Sequence, residues 1–177
     1  MHSTTLGIHN GAFNATFTEH CAGKTAPFHV IYRKEGYAHQ DEVAAPYAAQ
    51  DRDNVEWNYK ISRDKLAHKM GLSEIASYEL FKDDHVDKVY GVRFSDGSRQ
   101  SDYTISQLQG LLGDKNLKSS DFVVSSSDDN LSFTGHGVGL GTGLCVFSAE
   151  KMANKGKNAA DILSHFFPHT SIVCLDQ

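Results

Sequence analysis

A basic surplus is the first thing this chain lacks. Seventeen Lys and Arg stand against twenty-two Asp and Glu, a formal net charge of −5 over 177 residues. Binding to nucleic acid through its phosphates needs clustered Lys and Arg, so nucleic acid is excluded as the main partner. No apolar run approaches the ~18 residues that a helical membrane span requires, and no span is expected. Met1-His2-Ser3-Thr4-Thr5 has neither the basic start nor the apolar stretch of a secretory signal. That leaves two expectations open, a cytoplasmic protein or a natural start upstream of Met1. Cysteine is scarce as well. Cys21, Cys145 and Cys174 are odd in number and far apart, which excludes a disulfide framework of the small secreted type. No Cys-x-x-Cys pair suggests a zinc ribbon. Internal repeats and linker-like low-complexity segments are missing too, so one domain over residues 1–177, at most with a smaller lobe, is expected.

What is present is ordinary for a soluble globular protein: 40% hydrophobic and 22% charged residues. A chain of this length buries roughly two thirds of its unfolded surface and needs no staples. Residues 6–18 alternate around Asn10-Gly11 and predict a hairpin. Phe28 to Trp57 is irregular and reads as loop. Val55–Ile61 alternates as a strand, Ser62 is a good N-cap, and Gly71 ends the short helix that follows. Lys88–Phe94 and Arg99–Ile105 flank Ser95-Asp96-Gly97-Ser98, a second hairpin. Ser106 is expected to cap a helix through Leu112, closed by Gly113. Two short strands follow, Asp121–Val124 and Asn130–Thr134. Near the C-terminus Ala149, Met152 and Ala153 share a helical face, Asn158 with Asp161 resembles a capping pair, and Ile162, Leu163, Phe166 and Phe167 form an apolar stripe that Pro168 stops. The class predicted is α+β: short antiparallel strands and hairpins with a C-terminal helical segment.

The densest signal is Gly135-His136-Gly137-Val138-Gly139-Leu140-Gly141-Thr142-Gly143-Leu144-Cys145. So many glycines cost chain entropy unless the backbone needs positive φ or close approach. The run should lead from a strand into a helix N-terminus, where free amides favour an oxygen. It is not a P-loop, because no Lys follows, and the dinucleotide pattern Gly-x-Gly-x-x-Gly fails in every register. His136, between glycines, is sterically open and suits hydrogen bonding or proton handling near neutral pH.

Gly135-His136-Gly137-Val138-Gly139 resembles the hallmark of the sporulation stage II protein D / LytB amidase-enhancer family. Further phrases match that family in order: Cys21-Ala22-Gly23-Lys24-Thr25 after Ala15 and Phe17, Pro46-Tyr47 with Trp57, Leu111-Leu112-Gly113 through Phe122, Met152-Ala153-Asn154-Lys155-Gly156, and Ile162 through Thr170. The likeness spans about Leu6 to Ile172. It implies a part in processing peptidoglycan glycan strands, either as a lytic transglycosylase or as a non-catalytic peptidoglycan-binding module or amidase enhancer. It also implies a place in the cell envelope or periplasm, and an N-acetylmuramoyl-alanine amidase as a partner. The residues it points to for substrate are His136, Gly135, Gly137, Gly139, Cys145 and Thr25.

The same likeness implies a glutamate that serves as general acid and then base, its pKa raised by burial. The family phrase that carries this glutamate has no match here. The catalytic residue is therefore expected upstream of Met1, and Glu19, Glu42, Glu56, Glu74, Glu79 and Glu150 receive no such role. Zinc is the one cofactor the resemblance raises, with Cys21 as its matched ligand. His20, adjacent in sequence, would point to the opposite face of a strand and chelate poorly with it. An α+β fold, a glycan strand as ligand and a site around His136 are thus expected.

Overall fold

A computed structural model describes residues 4–8, 11–12, 14–34 and 40–174, the first seven of these and 173–174 as backbone only. Strands β1 (Thr4–Ile8) and β2 (Gly11–Ala12) pair antiparallel across residues 9 and 10, so the predicted N-terminal hairpin is present; its turn, with His9, lies outside the described residues. β3 (Phe17–Thr18) follows, then two five-residue helices, α1 (Phe28–Tyr32) and α2 (Pro46–Gln50), and a 3-10 turn at Arg52–Val55. These helices correct the expectation of loop between Phe28 and Trp57. Each is too short to show a period. Pro27 and Pro46 start them by presetting φ, and burial of Phe28, Val30, Ile31 and Ala48 holds them.

β4 (Glu56–Ser62) runs into α3 (Arg63–Met70) through Ser62, whose hydroxyl accepts from the Lys65 amide at 3.3 Å. Gly71, at φ 68°, closes the helix in the left-handed region. β5 (Ser77–Lys82), β6 (Val89–Ser95) and β7 (Gln100–Thr104) make an antiparallel meander whose second turn is the predicted Asp96-Gly97 hairpin. α4 (Ile105–Leu112) is capped by Thr104, in a reciprocal box with Gln107, and not by Ser106. The reason is phase: Ile105 and Leu108 must both face the core, which moves the helix start back.

β8 (Asp121–Ser126) and β9 (Asn130–His136) complete a sheet of order β4-β9-β8. The glycine run then leads through β10 (Leu144–Cys145), parallel to β3, into α5 (Val146–Asn154), as its spacing predicts. α6 (Ala159–Phe166) carries the Asn158/Asp161 capping box, and β11 (Ser171–Cys174) returns to β1. Among the described residues no helix is long and apolar enough to cross a membrane. The chain is α+β, with short antiparallel sheets and helices toward its C-terminus.

The sheet β4-β9-β8 has two unlike faces, because alternate residues point opposite ways. Trp57, Ile61, Leu131, Phe133 and Phe122 turn inward, joined by residues of the meander and of α3 and α4 in the larger hydrophobic cluster. A second cluster gathers Cys21, Val43, Ala48, Cys145, Ile162, Phe166 and Phe167 around α2, α5 and α6. The opposite sheet face remains polar and open to solvent. That face carries the site.

Candidate functional site

Strand register builds the site. Glu56 of β4 and Asp121 of β8 are the two cross-strand partners of His136 on β9. Residues opposite one another in a ladder project to the same face, so the three side chains form one row on the open face. The next row is Asn58, Thr134 and Val123, and the Thr134 hydroxyl donates to the Asn58 amide oxygen at 2.7 Å. Glu56 and Asn58 are exposed, and His136 is half-buried.

Behind this row lies a charged network. Arg52, from the 3-10 turn, donates to both carboxylate oxygens of Asp121 at 2.6 and 2.9 Å and to the Ala22 carbonyl at 3.0 Å. The same guanidinium reaches Nδ1 of His136 at 3.3 Å. Lys88 is only 3% exposed, and its Nζ donates to the Cys21 carbonyl at 3.0 Å and to Asp121 Oδ2 at 3.2 Å. Burial alone would push the Asp121 carboxyl up. The Arg52 hydrogen bonds and the two cationic charges outweigh burial and hold it below the usual carboxylate range.

Arginine has donors and no acceptor, so Nδ1 of His136 accepts. The neutral ring then carries its proton on Nε2. That nitrogen has no partner among the described residues and is not among their buried, unpaired side-chain atoms. His136 therefore presents an N–H donor to solvent, on a ring whose tautomer is set from behind. Its strand is anchored as well: the Ser119 hydroxyl donates to the His136 carbonyl at 2.6 Å and accepts from the Trp57 indole at 3.1 Å.

The glycines around His136 serve close packing. Gly135 is buried, and a Cβ there would overlap the Trp57 ring and the Asp121 carbonyl. Gly137, at φ 86°, lies against the His20 carbonyl, and Gly139 against the Thr18 hydroxyl. Val138 exchanges backbone hydrogen bonds with His20 at 3.0 and 2.9 Å. The bend is thus filled from one side by residues 16–22, and its glycines serve the positive φ and close approach that so glycine-rich a run implies. On its other side Val138 and Gly139 border a cleft of about 520 Å³, lined also by Gln109, Asp114, Lys115 and Lys118.

The remaining predicted residues lie elsewhere. Thr25 is fully buried; its hydroxyl accepts from the Val43 amide at 2.9 Å and braces the segment before α2. Cys145 is also fully buried, at the N-terminus of α5, and takes the Cys21 amide on its sulfur at 3.4 Å. The Cys21 thiol donates to that sulfur too. Together with the Ser148 amide and hydroxyl this lowers the Cys145 pKa against the opposing effect of burial, while the same thiol contact and burial raise that of Cys21. His20 lies next to this pair, its ring 4.6 Å from that of Phe147. Its Nδ1 accepts from the Ala22 amide at 3.2 Å. Its Nε2 lies 3.5 Å from Asp51 Oδ2 without hydrogen-bond alignment, so the two are near neighbours and not a made bond.

Zinc calls for about four ligands. Among the described residues no group of three or more His, Cys, Asp or Glu side chains is placed to hold a metal ion, and two sulfurs do not fit that need. Arg52, Asp121 and Lys88 were not singled out from the sequence, and Glu56 appeared there only as one available carboxylate. No protein-family profile and no curated protein matches the chain.

Proposed function

We propose that the open face of the β4-β9-β8 sheet binds a glycan strand, with His136 as its central hydrogen-bond donor. The chain would act in peptidoglycan processing in the manner of the sporulation stage II protein D / LytB family, which its Gly135–Gly139 phrase resembles. The observation that carries this reading is Nε2 of His136, without a partner among the described residues and in one row with Glu56 and Asp121. A peptidoglycan strand is a ribbon of hydroxyl and acetamido groups with a lactyl carboxyl on each muramic residue, and its neutral groups need interleaved donors and acceptors. Glu56, Asn58, Thr134 and His136 offer that mixture on one face of the sheet.

Cutting the strand needs a carboxyl that stays protonated long enough to donate. Asp121, the buried carboxyl beside His136, is shifted the other way, toward the ionised form. This favours assigning recognition to the present residues and the proton transfer to a glutamate of the kind the resemblance implies, upstream of Met1. Without that glutamate the protein would bind peptidoglycan, or assist an N-acetylmuramoyl-alanine amidase, without cutting.

Co-sedimentation with purified peptidoglycan tests the binding. The protein should pellet, and His136→Ala should remain largely in the supernatant. Equal pelleting of the two would sink the reading. A version that also carries such a glutamate, incubated with peptide-free glycan strands, should yield 1,6-anhydro ends by mass spectrometry if the protein acts as a transglycosylase.

A further inference from the structure

Among the described residues β4 has no further strand beside it and forms an edge of the open sheet. The Val55 carbonyl accepts from the Gly137 amide at 3.0 Å, one step beyond the pair Glu56–His136. In an antiparallel ladder, hydrogen-bonded pairs alternate with unbonded ones. Val55, Trp57, Tyr59 and Ile61 therefore direct their backbone groups to β9, and Glu56, Asn58 and Lys60 direct theirs away. The Glu56 amide bonds back to the Asp53 carbonyl. The N–H and C=O of Asn58 and of Lys60 have no partner among the described residues.

A groove of about 900 Å³ runs along this edge, between β4 and α3. Lys60, Lys65, His68 and Lys69 line it, against one acid, Asp64. The Lys60, Lys65 and His68 side chains are exposed and make no ion pair or hydrogen bond among the described residues; Lys69 reaches only the Leu111 carbonyl, at 3.2 Å. A basic groove on a chain of net charge −5 is a local feature, not a consequence of composition.

We propose that this edge is a docking site for an extended acidic peptide segment, which adds to the sheet beside β4. Two properties must be met together. The paired donors and acceptors of Asn58 and Lys60 are complementary to another peptide backbone, as in strand addition. The lysines select carboxylates on that backbone's side chains. A polyphosphate or other polyanion meets the second property alone, since it offers acceptors and no donors. A lysine on an edge strand ordinarily discourages pairing between copies. Here the same sign continues onto α3, so a partner of opposite charge is drawn where a second copy is repelled. The site adjoins the proposed glycan face, sharing Asn58 through its backbone rather than its side chain, and does not depend on that reading.

The probe is a short capped peptide alternating Glu with Val and Thr, titrated into the labelled protein and followed by amide NMR. Two companions are needed: the same peptide N-methylated at alternate backbone positions, and its Lys-for-Glu counterpart. The acidic peptide should shift the Asn58 and Lys60 amides and slow their hydrogen exchange. Both companions should bind at least about tenfold more weakly, a factor typical of one lost interaction of this kind. Lys60→Pro removes an outward N–H at a position where an edge strand tolerates proline, and it should weaken the acidic peptide alone. Lys65→Glu with Lys69→Glu provides a second variant that leaves the backbone intact and should also lose binding. Equal binding of the N-methylated peptide would show a charged patch without strand addition and overturn the proposal. Failure of the acidic peptide to bind would do the same.

Discussion

Arg52 stands behind His136 and decides which of its two ring nitrogens faces the solvent. The guanidinium is itself fixed by a bidentate pair with Asp121 and by the Ala22 carbonyl, so its contact with Nδ1 at 3.3 Å is not a surface side chain's passing encounter. Such pre-organisation matters for a ligand made of hydroxyl and amide groups, which discriminates strongly between a donor and an acceptor at a given point.

Arg52→Gln should release this control. In the native protein, nitrogen NMR of His136 should show the Nε2–H tautomer in large excess. In the variant the two tautomers should mix, and peptidoglycan binding should fall by about tenfold. Arg52→Lys, which keeps the charge but not the fork, should restore stability better than it restores the tautomer. A His136 spectrum already mixed in the native protein would refute the arrangement.

Asp121 gives a pH dependence with a definite sign. Its carboxyl is held below the ordinary value of 3.8 by Arg52 and Lys88 against the cost of burial. A carboxylate lowered on folding stabilises the native state above its unfolded pKa, and the gain is lost as pH falls through the folded pKa. Native stability should therefore decline below about pH 4, and Asp121→Asn should remove much of that slope. At neutral pH the variant leaves Arg52 and Lys88 without their counter-charge, a loss of about 3 kcal/mol. Urea unfolding followed by the fluorescence of Trp57, the single tryptophan, measures both. An unchanged acid limb in the variant would reject the assignment.

How much of this was legible in the sequence depends on how far each interaction reaches. Ser62 with Gly71, Asp96-Gly97, and Asn158 with Asp161 were readable because a cap or tight turn is decided within a few residues. The α+β class followed from such local signals. The site was only half visible. His136 stood out between glycines, but Arg52 and Asp121 lie 69 positions apart and Lys88 lies 33 from Asp121, with no spacing rule to join them. Glu56 reaches His136 only through the β4–β9 register, which a strand pattern does not number. The glycines announced positive φ or close approach without naming the neighbours: Trp57, Thr18 and His20, from distant segments, press against the bend.

Gly135 tests that last point. Its residue type follows from contact with the Trp57 indole and the Asp121 carbonyl, not from a ligand's approach. Gly135→Ala should therefore cost about 2 kcal/mol of stability through overpacking and shift the Trp57 emission, whether or not peptidoglycan is present. A variant as stable as the parent that has lost only its binding would return the glycine to the ligand side.

Cys145 combines a favoured thiolate with complete burial, and the two pull its chemistry apart. Its sulfur accepts from the Cys21 amide at 3.4 Å, and the neighbouring Cys21 thiol and Ser148 help to lower its pKa. Yet it is 0% exposed, beneath α2 and α6 in the second core cluster, so a nucleophile is present but out of reach. In a Cys174→Ser background, which leaves two thiols, the ultraviolet absorbance of the thiolate should titrate below the ordinary cysteine range. Alkylation by iodoacetamide should nevertheless remain slow until urea unfolds the chain. Adding Cys21→Ala removes one donor while retaining the backbone amide, so the titration should move upward with little change in the alkylation rate. A titration that stays in place after Cys21 is lost would mean that the helix terminus alone sets the charge on Cys145.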